Sequence, residues 1–326
     1  MTKIAIIGAG ISGLALANLL KDTKAEITVF EKSRGVGGRM STRRAEEFNF
    51  DHGAQCFTIR TKEFESFLKP FLESGLIQEW HGNVVSIENG KIIEPRIWNE
   101  KHYVASPSMN SLCKKLAENL NVKIDTEILP ISKKDNKWSI QSKQSNDFSL
   151  FDIVVSTAPP MQTINLFKEN FCYTENLKQI EMHPCFALML GFKDEIRSNW
   201  MAARIRNSKI KWTSFNNSKP NRNKGATSIV VHASNTWSNN NVNIEIAEVQ
   251  KQLFEEFEMQ TGIKNIPDYR STHRWLYSIV KTASKPEYLL DESAKLSVCG
   301  DSCLTSRIED AFLSSQKLAD KLKTII

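Results

Sequence analysis

The spacing of apolar and polar positions changes along the chain and marks out its elements. "KIAII" at residues 3–7 and "EITVF" at 26–30 are short β-rich runs, and "ISGLALANLLK" between them reads as a helix. From Lys62 to Gly75 the apolar residues Phe64, Phe67, Leu68, Phe71 and Leu72 recur at helical spacing, which predicts a helix with one face in the core. "VVSIENGKIIEP" predicts a hairpin turning at Asn89-Gly90. "SPSMNSLCKKLAENL" resumes as an amphipathic helix, and "VKIDTEILPI" and "KWSIQSK" read as strands. "DIVVSTAPPMQ" is a buried strand ending in a Pro-Pro turn, and residues 161–182 read as helical. Between Pro184 and Ala233 lie three long β-like runs, "CFALMLGF", "KIKWTSF" and "TSIVVHAS". A helix, "NIEIAEVQKQLFEEFEMQTG", and a strand, "YRSTHRWLYSIV", follow; "KLSVCGD" and "IEDAFLSSQKLADKLKTI" close the chain as strand and helix. The order implies one domain assembled from separated segments, with the central β-rich residues as a second layer over it.

Glycine changes this picture. Only 14 glycines occur in 326 residues, and seven fall in the first 53: Gly8, Gly10, Gly13, Gly35, Gly37, Gly38 and Gly53. Gly8, Gly10 and Gly13 form G-x-G-x-x-G at the junction of the first strand and helix, and Glu31 ends the second strand 21 residues after Gly10. This is a dinucleotide-binding fingerprint: tight turn, backbone approach to a diphosphate, helix–strand packing, and an acidic group for ribose hydroxyls. The helix N-terminus offers N–H groups and partial positive charge to the phosphates. A carboxylate at Glu31 repels a 2′-phosphate, which favours FAD or NAD over NADP. A secretion signal needs a small-residue cleavage site after the apolar run, and "KDTKAEITVFEK" follows instead.

The next loop, "KSRGVGGRMSTRR" at 32–44, is basic and glycine-rich, so Arg34, Arg39, Arg43 and Arg44 can reach a diphosphate or ring edge. "FNFDHGAQCFTIR" at 48–60 alternates as a strand and breaks at Gly53, which suggests backbone brought close to something flat.

Bulk properties set bounds. The 37.1 kDa chain is 25% charged and 40% hydrophobic, as in an ordinary soluble enzyme, and no apolar run has membrane-span length. The net charge of +6 is too diffuse to argue for nucleic acid and is compatible with an anionic small molecule. The six cysteines show no metal-ligand spacing and no secreted disulfide pattern, so the expected setting is a reducing cytoplasm with no metal.

With "GAGISG", "RGVGGR", "DHGAQCF", "STAPP" and "CGD" in order, the chain resembles the flavin amine-oxidase superfamily. Within it, "HPCFALMLGF" at 183–192, "WTSFNNSKPNR" at 212–222, "VVHASNTWS" at 230–238 and "HRWLYS" at 273–278 are similar to segments of the renalase-like group. The resemblance implies an α/β fold: an FAD-binding Rossmann-type domain, para-hydroxybenzoate-hydroxylase-like, interleaved with an α+β substrate domain carrying a β-sheet roof. The expected division is 1–60, 102–160 and 285–326 for FAD, and 61–101 and 161–284 for substrate. It implies non-covalent FAD held by Gly8, Gly10, Ile11, Ser12, Gly13, Glu31, Lys32, Gly38, Arg39, Gln55, Cys56, Ile128, Asp301 and Ile308. Ser12 is expected at the diphosphate, Glu31 on ribose, Gln55 and Cys56 beside the flavin ring, and Asp301 on the ribityl hydroxyls. Members of the group oxidise misreduced dihydro-NAD(P) isomers and pass the electrons to dioxygen. Cys56 stands where relatives commonly carry an aromatic, and Ser108 where glycine is frequent.

Hydride transfer to flavin asks for walls that exclude water and hold a planar donor. Phe57, Phe186, His273, Trp275 and Tyr277 are the pocket candidates, the last three facing one side of a strand. No general base stands out. Lys219 and Arg222 fit either a substrate phosphate or a solvated turn, and Asp51 and His52 point to opposite faces. Three activities fit: oxidase of a dihydronicotinamide isomer, amine oxidase or dehydrogenase of another planar metabolite, and non-catalytic flavin-binding module.

Overall fold

The computed structural model describes residues 1–283 and 286–326. Its first layer is a six-stranded sheet in the order Leu289–Asp291, Leu296–Val298, Ile153–Ser156, Lys3–Ile7, Glu26–Phe30, Val122–Lys123. Lys3–Ile7 runs parallel to both neighbours, and only the edge strand Leu289–Asp291 is antiparallel. A parallel sheet is buried on both faces. Ile4, Ile6 and Val155 accordingly pack on one side, and Ala5, Val154 and Val298 on the other. The first helix, Ile11–Leu20, and the closing helix, Ile308–Leu322, share the first of these faces, with Leu14, Leu318 and Leu322 fully buried.

The second layer is a seven-stranded sheet in the order Tyr269–Thr282, Glu181–Phe192, Thr227–Ala233, Ile210–Phe215, Ala202–Arg206, Val84–Glu88, Lys91–Pro95. All its pairings are antiparallel except that of Ala202–Arg206 with Val84–Glu88. Its outer face places Phe186, Leu188, Leu190, Val231, Ile205 and Ile87 against Val249, Leu253 and Phe257 of the helix Ile246–Thr261. The other face looks toward the first sheet. The two-residue period of the strands thus separates an apolar outer surface from an inner one that includes His232, Trp212 and Arg204.

Several local expectations change. The predicted hairpin turns at Asn89 and Gly90, with φ of 50° and 73°. The helix expected over "SPSMNSLCKKLAENL" is confined to Ser111–Ala117, because Asn119 takes φ 62° and stops it. "VKIDTEILPI" contributes only Val122–Lys123, since Asp125 at φ 52° turns the chain out of the sheet. Residues 161–182 break at Lys168 (φ 50°) into Pro160–Phe167 and Thr174–Lys178, and the long roof strand already begins at Glu181. The strand expected over 48–60 covers Phe48–Phe50 alone. Ala202–Arg206 is a strand that periodicity did not indicate. The expected boundary between residues 284 and 285 lies outside the described residues. Among the described residues no helix is long and apolar enough to cross a membrane.

Candidate functional site

Between the two sheets runs a cleft of about 1830 Å³. Single small-ligand sites hold roughly 300–1,000 Å³, so this one accommodates a large ligand, or a large and a small one together. Its floor begins at the G-x-G-x-x-G turn and its far wall is the inner face of the roof sheet.

At the floor the glycines have separable roles. A Cβ on Gly13 would stand 2.0 Å from the Gly8 carbonyl oxygen, so Gly13 is required for packing of helix on strand. A Cβ on Gly10 would meet nothing within 4 Å, because Gly10 opens onto the cleft. Gly10 caps the first helix without a side-chain hydrogen bond, and the first-turn N–H groups of a helix have no intrahelical acceptor. Gly8, Ile11 and Ser12 also line the cleft here, but the Ser12 hydroxyl turns away, at 2.5 Å from Ser315 Oγ. The Ser12 hydroxyl thus ties the first helix to the last, and its backbone is left for the diphosphate expected there. Glu31 is buried at the end of its strand, with one carboxylate oxygen accepting from Ala9 N–H (2.9 Å) and the other from Ser33 N–H (2.8 Å). Each oxygen keeps a lone pair for a hydroxyl donor. Lys32, Gly38 and Ile128 line the same end.

In the middle of the cleft Arg39 and Asp301 face one another. The guanidinium donates to both Asp301 oxygens, at 2.6 and 2.5 Å, and to the Ser278 carbonyl at 3.3 Å. The two residues expected to contact separate parts of a cofactor therefore hold each other across 262 residues of chain. Gln55 and Cys56 line this region. The Gln55 carbonyl oxygen accepts from Ser214 Oγ (2.7 Å) and Lys219 Nζ (3.3 Å), and burial pushes the Cys56 thiol up to about 12. Ile308 begins the closing helix at the cleft edge. Its first turn is partly satisfied from within: Asp310 accepts from Arg307 N–H at 3.3 Å.

The far wall carries His273, Trp275 and Tyr277 of the strand Tyr269–Thr282, and Phe57 also lines the cleft. The His273 and Trp275 rings meet edge to face at 4.3 Å. His52 joins them, 5.0 Å from each, and its carbonyl accepts from Trp275 Nε1–H at 3.0 Å and lies 3.0 Å from His232 Nε2. Burial, then the neighbouring His273 and Arg43, lowers His52 to about 3; burial, then Lys211, lowers His232 to about 4. Burial and Arg43 lower His273 as well. These imidazoles are neutral at pH 7, giving a wall of neutral aromatic rings with the cations Arg43 and Lys211 beside them.

Two sequence expectations fail here. Phe186 points into the outer core against Trp237 (5.9 Å) and does not line the cleft; its neighbour Cys185, one residue away and so on the opposite face, does. Lys219 and Arg222 are neither solvated nor at the cleft: both are buried and hold Asp51 at 3.2 and 2.7 Å. Burial works to raise the Asp51 carboxyl, but the two cations, with Thr42 and the Met109 N–H, hold it well below the usual carboxylate range. Gly53 lines the cleft and packs on the Arg39 carbonyl oxygen, 2.0 Å from where a Cβ would sit. The reading from sequence passed over His52, Trp212, Arg96 and Arg204 as cleft residues. Strand parity with His232 and Trp275 offered the one signal for Trp212.

A dinucleotide fits the floor on the open space at Gly10, the uncapped first turn and the lone pairs of Glu31. Comparison with known proteins agrees with the fold. Residues 6–71 match the NAD(P)-binding Rossmann-like domain family. Over 77 residues, 21% of this chain, the sequence is 38% identical to 4,4'-diapophytoene desaturase (4,4'-diaponeurosporene-forming) of Staphylococcus aureus strain MRSA252, matching 15% of that protein's length. A putative protoporphyrinogen oxidase from Exiguobacterium sp. 255-15 superimposes with a TM-score of 0.82 at 12% identity, covering 100% of this chain and 99% of that one. A redesigned putrescine oxidase superimposes with a TM-score of 0.72 at 11% identity, covering 99% of both chains. The chain thus has a Rossmann-like segment over residues 6–71 within a mixed α/β fold that it shares with these two oxidases.

Proposed function

We propose that the protein is an FAD-dependent oxidoreductase that takes hydride from a small planar donor, a misreduced dihydro-NAD(P) isomer in the reading we favour. The observation that carries this is the continuity of one cleft from a dinucleotide floor to a neutral aromatic wall. Bound non-covalently there, FAD supplies two-electron chemistry: hydride acceptance at N(5) and return of the electrons to dioxygen as hydrogen peroxide. The protein's part is positional. Backbone N–H groups at Gly10–Ser12 receive the diphosphate, Glu31 the ribose, and the Arg39–Asp301 pair braces the middle of the cleft. Trp275, Tyr277 and His273 hold a planar ring and exclude water. Direct hydride transfer requires no side chain to remove a proton, and the neutral imidazoles suit that.

The likeness to putrescine oxidase raises amine oxidation as the alternative. The cleft's carboxylates argue against a cationic donor. Glu31, Asp301, Glu127 and Glu309 are all engaged, by backbone N–H groups or by Arg39 and Lys143, and the roof strands contribute no carboxylate to the lining. The test is anaerobic mixing of FAD-loaded protein with isomeric dihydronicotinamides and with amines, following flavin absorbance. Bleaching by the dihydronicotinamides and not the amines supports the proposal; bleaching by amines alone refutes it. A flavin that no donor bleaches leaves a binding module instead of an enzyme.

A further inference from the structure

Behind the cleft wall lies a charged cluster that the proposed chemistry does not use. Asp51, Lys219 and Arg222 meet there, all buried and none of them lining the cleft. The Asp51 carboxylate is saturated. Its Oδ1 accepts from the Thr42 hydroxyl (2.6 Å) and the Met109 N–H (3.0 Å), and its Oδ2 from Lys219 (3.2 Å) and Arg222 (2.7 Å). One carboxylate thus serves two cations, and among the described residues no second carboxylate pairs with either. Their other acceptors are neutral. Lys219 donates to the amide oxygens of Gln55 (3.3 Å) and Asn216 (3.0 Å), and Arg222 to the carbonyls of Ala105 (2.9 Å) and Pro220 (3.2 Å). Arg222 Nε is buried with no acceptor at all. Buried charges are normally paired, and here one positive charge is left over.

The surplus is felt in the cleft. The Lys219 ammonium is bounded by the buried Trp80 ring, 5.3 Å away at its centroid, and by Gln55, which lines the cleft. The Gln55 amide is fixed at both ends: its oxygen also accepts from Ser214 Oγ at 2.7 Å, and its nitrogen donates to the carbonyls of Asp51 and Gly53. The Lys219 charge acts on the Cys56 thiol and on the His232 imidazole, both cleft residues. Away from water such a charge is little screened. With its ribose at Glu31 and its diphosphate at Gly10, a dinucleotide extends its other half past Arg39 and Asp301 to the wall formed by Gln55 and Cys56. A ring that takes a hydride there gains two electrons and one hydrogen from the donor carbon, and with them one negative charge.

We propose that Lys219, the unbalanced cation of this cluster, stabilises the anionic, reduced form of the flavin across Gln55 and so raises its reduction potential. Lys219 touches neither flavin nor donor; it acts through its charge. This rests on the reading that FAD fills the cleft with its ring beyond the Arg39–Asp301 pair.

The test is the reduction potential of FAD-loaded protein, measured anaerobically against a reference dye with no substrate present. The bound couple should lie above that of free FAD. Lys219→Met should lower it by about 30 mV or more, a tenfold loss of preference for reduced over oxidised flavin in a two-electron couple. Affinity for oxidised FAD, whose ring is neutral, should be nearly unchanged. Ser214→Ala is the control: it removes a hydrogen bond from the same Gln55 oxygen but no charge, and should leave the potential where it was. A Lys219→Met potential equal to the parent's overturns the proposal. So does a Ser214→Ala shift as large as that of Lys219→Met, which traces the effect to the orientation of Gln55 instead. If Lys219→Met does not fold, the parent decides, and a bound couple at or below that of free FAD overturns the proposal. A chain that takes up no FAD refutes the proposed function instead, and is recognised before any potential is measured.

Discussion

Two glycines of the first turn should respond to the same substitution in opposite ways. Gly10 sits at φ −76° and ψ −179°, a conformation open to any residue, and its Cβ would meet no atom within 4 Å. Gly10→Ala should therefore leave folding intact, or stabilise it by about 0.4–1 kcal/mol through the unfolded chain. The methyl group would project into the space that a diphosphate needs to reach the first-turn N–H groups. Losing one charge-assisted hydrogen bond costs about 1.5–3 kcal/mol, a factor of roughly ten to 150 in affinity. Gly13→Ala is different: a Cβ 2.0 Å from the Gly8 carbonyl must push helix from strand, and the folded state itself should be lost or strongly destabilised. Thermal unfolding of the apoproteins separates the stability effects, and quenching of FAD fluorescence on titration measures affinity. A Gly10→Ala protein that binds FAD as tightly as the parent would refute the assignment of this turn as the diphosphate seat.

Other outcomes follow from the buried charges and rings. Asp51→Asn leaves Lys219 and Arg222 without a counter-ion, with side chains only 0% and 2% exposed. The cost is about 3–5 kcal/mol. At about 2.1 cal/mol/K per residue over 326 residues, Tm should fall by about 4–7 °C in calorimetry. Because the native Asp51 carboxyl lies below its unfolded value, its contribution is present above about pH 4 and lost as pH falls, so the deficit of the variant should shrink in acid. The depressed imidazoles act over another window. The unfolded chain takes up protons below about pH 6.5, whereas native His52 and His232 wait until about 3 and about 4. Stability should therefore decline as pH drops through that interval, and the proton NMR shifts of the His52 ring, 5.0 Å from Trp275, should stay those of a neutral imidazole from pH 8 down to 5. Cys56, with its thiol near 12, should resist iodoacetamide at pH 8 although it lines the cleft, as mass-spectrometric labelling would reveal.

What could be read from sequence was local. The fingerprint, the helix at 62–73 and the Asn89-Gly90 turn depend on residues close in the chain, and the structure forms them there. Alternation on one strand picked out His273, Trp275 and Tyr277, and all three line the cleft. The same rule applied to Cys185 and Phe186 leaves open which face is the cleft; the packing of Phe186 under the helix Ile246–Thr261 decides it. Lys219 and Arg222 were ambiguous because their counter-ion, Asp51, is 168 and 171 residues away. Arg204 went unnoticed because its strand is held by a parallel pairing to Val84–Glu88, a partner that no local pattern announces. Gly53 did mark a close backbone approach, but to the Arg39 carbonyl. A glycine reports crowding without identifying what crowds it.

The central claim is that the long cleft seats one flavin dinucleotide with its diphosphate on the Gly8–Gly13 turn. Titration of FAD into purified apoprotein tests it most directly, read by flavin fluorescence and by equilibrium dialysis. Saturation is expected at one FAD per chain, released intact on denaturation because it is not covalently bound. Absence of binding by a folded chain, or binding unchanged by Gly10→Ala, would contradict it.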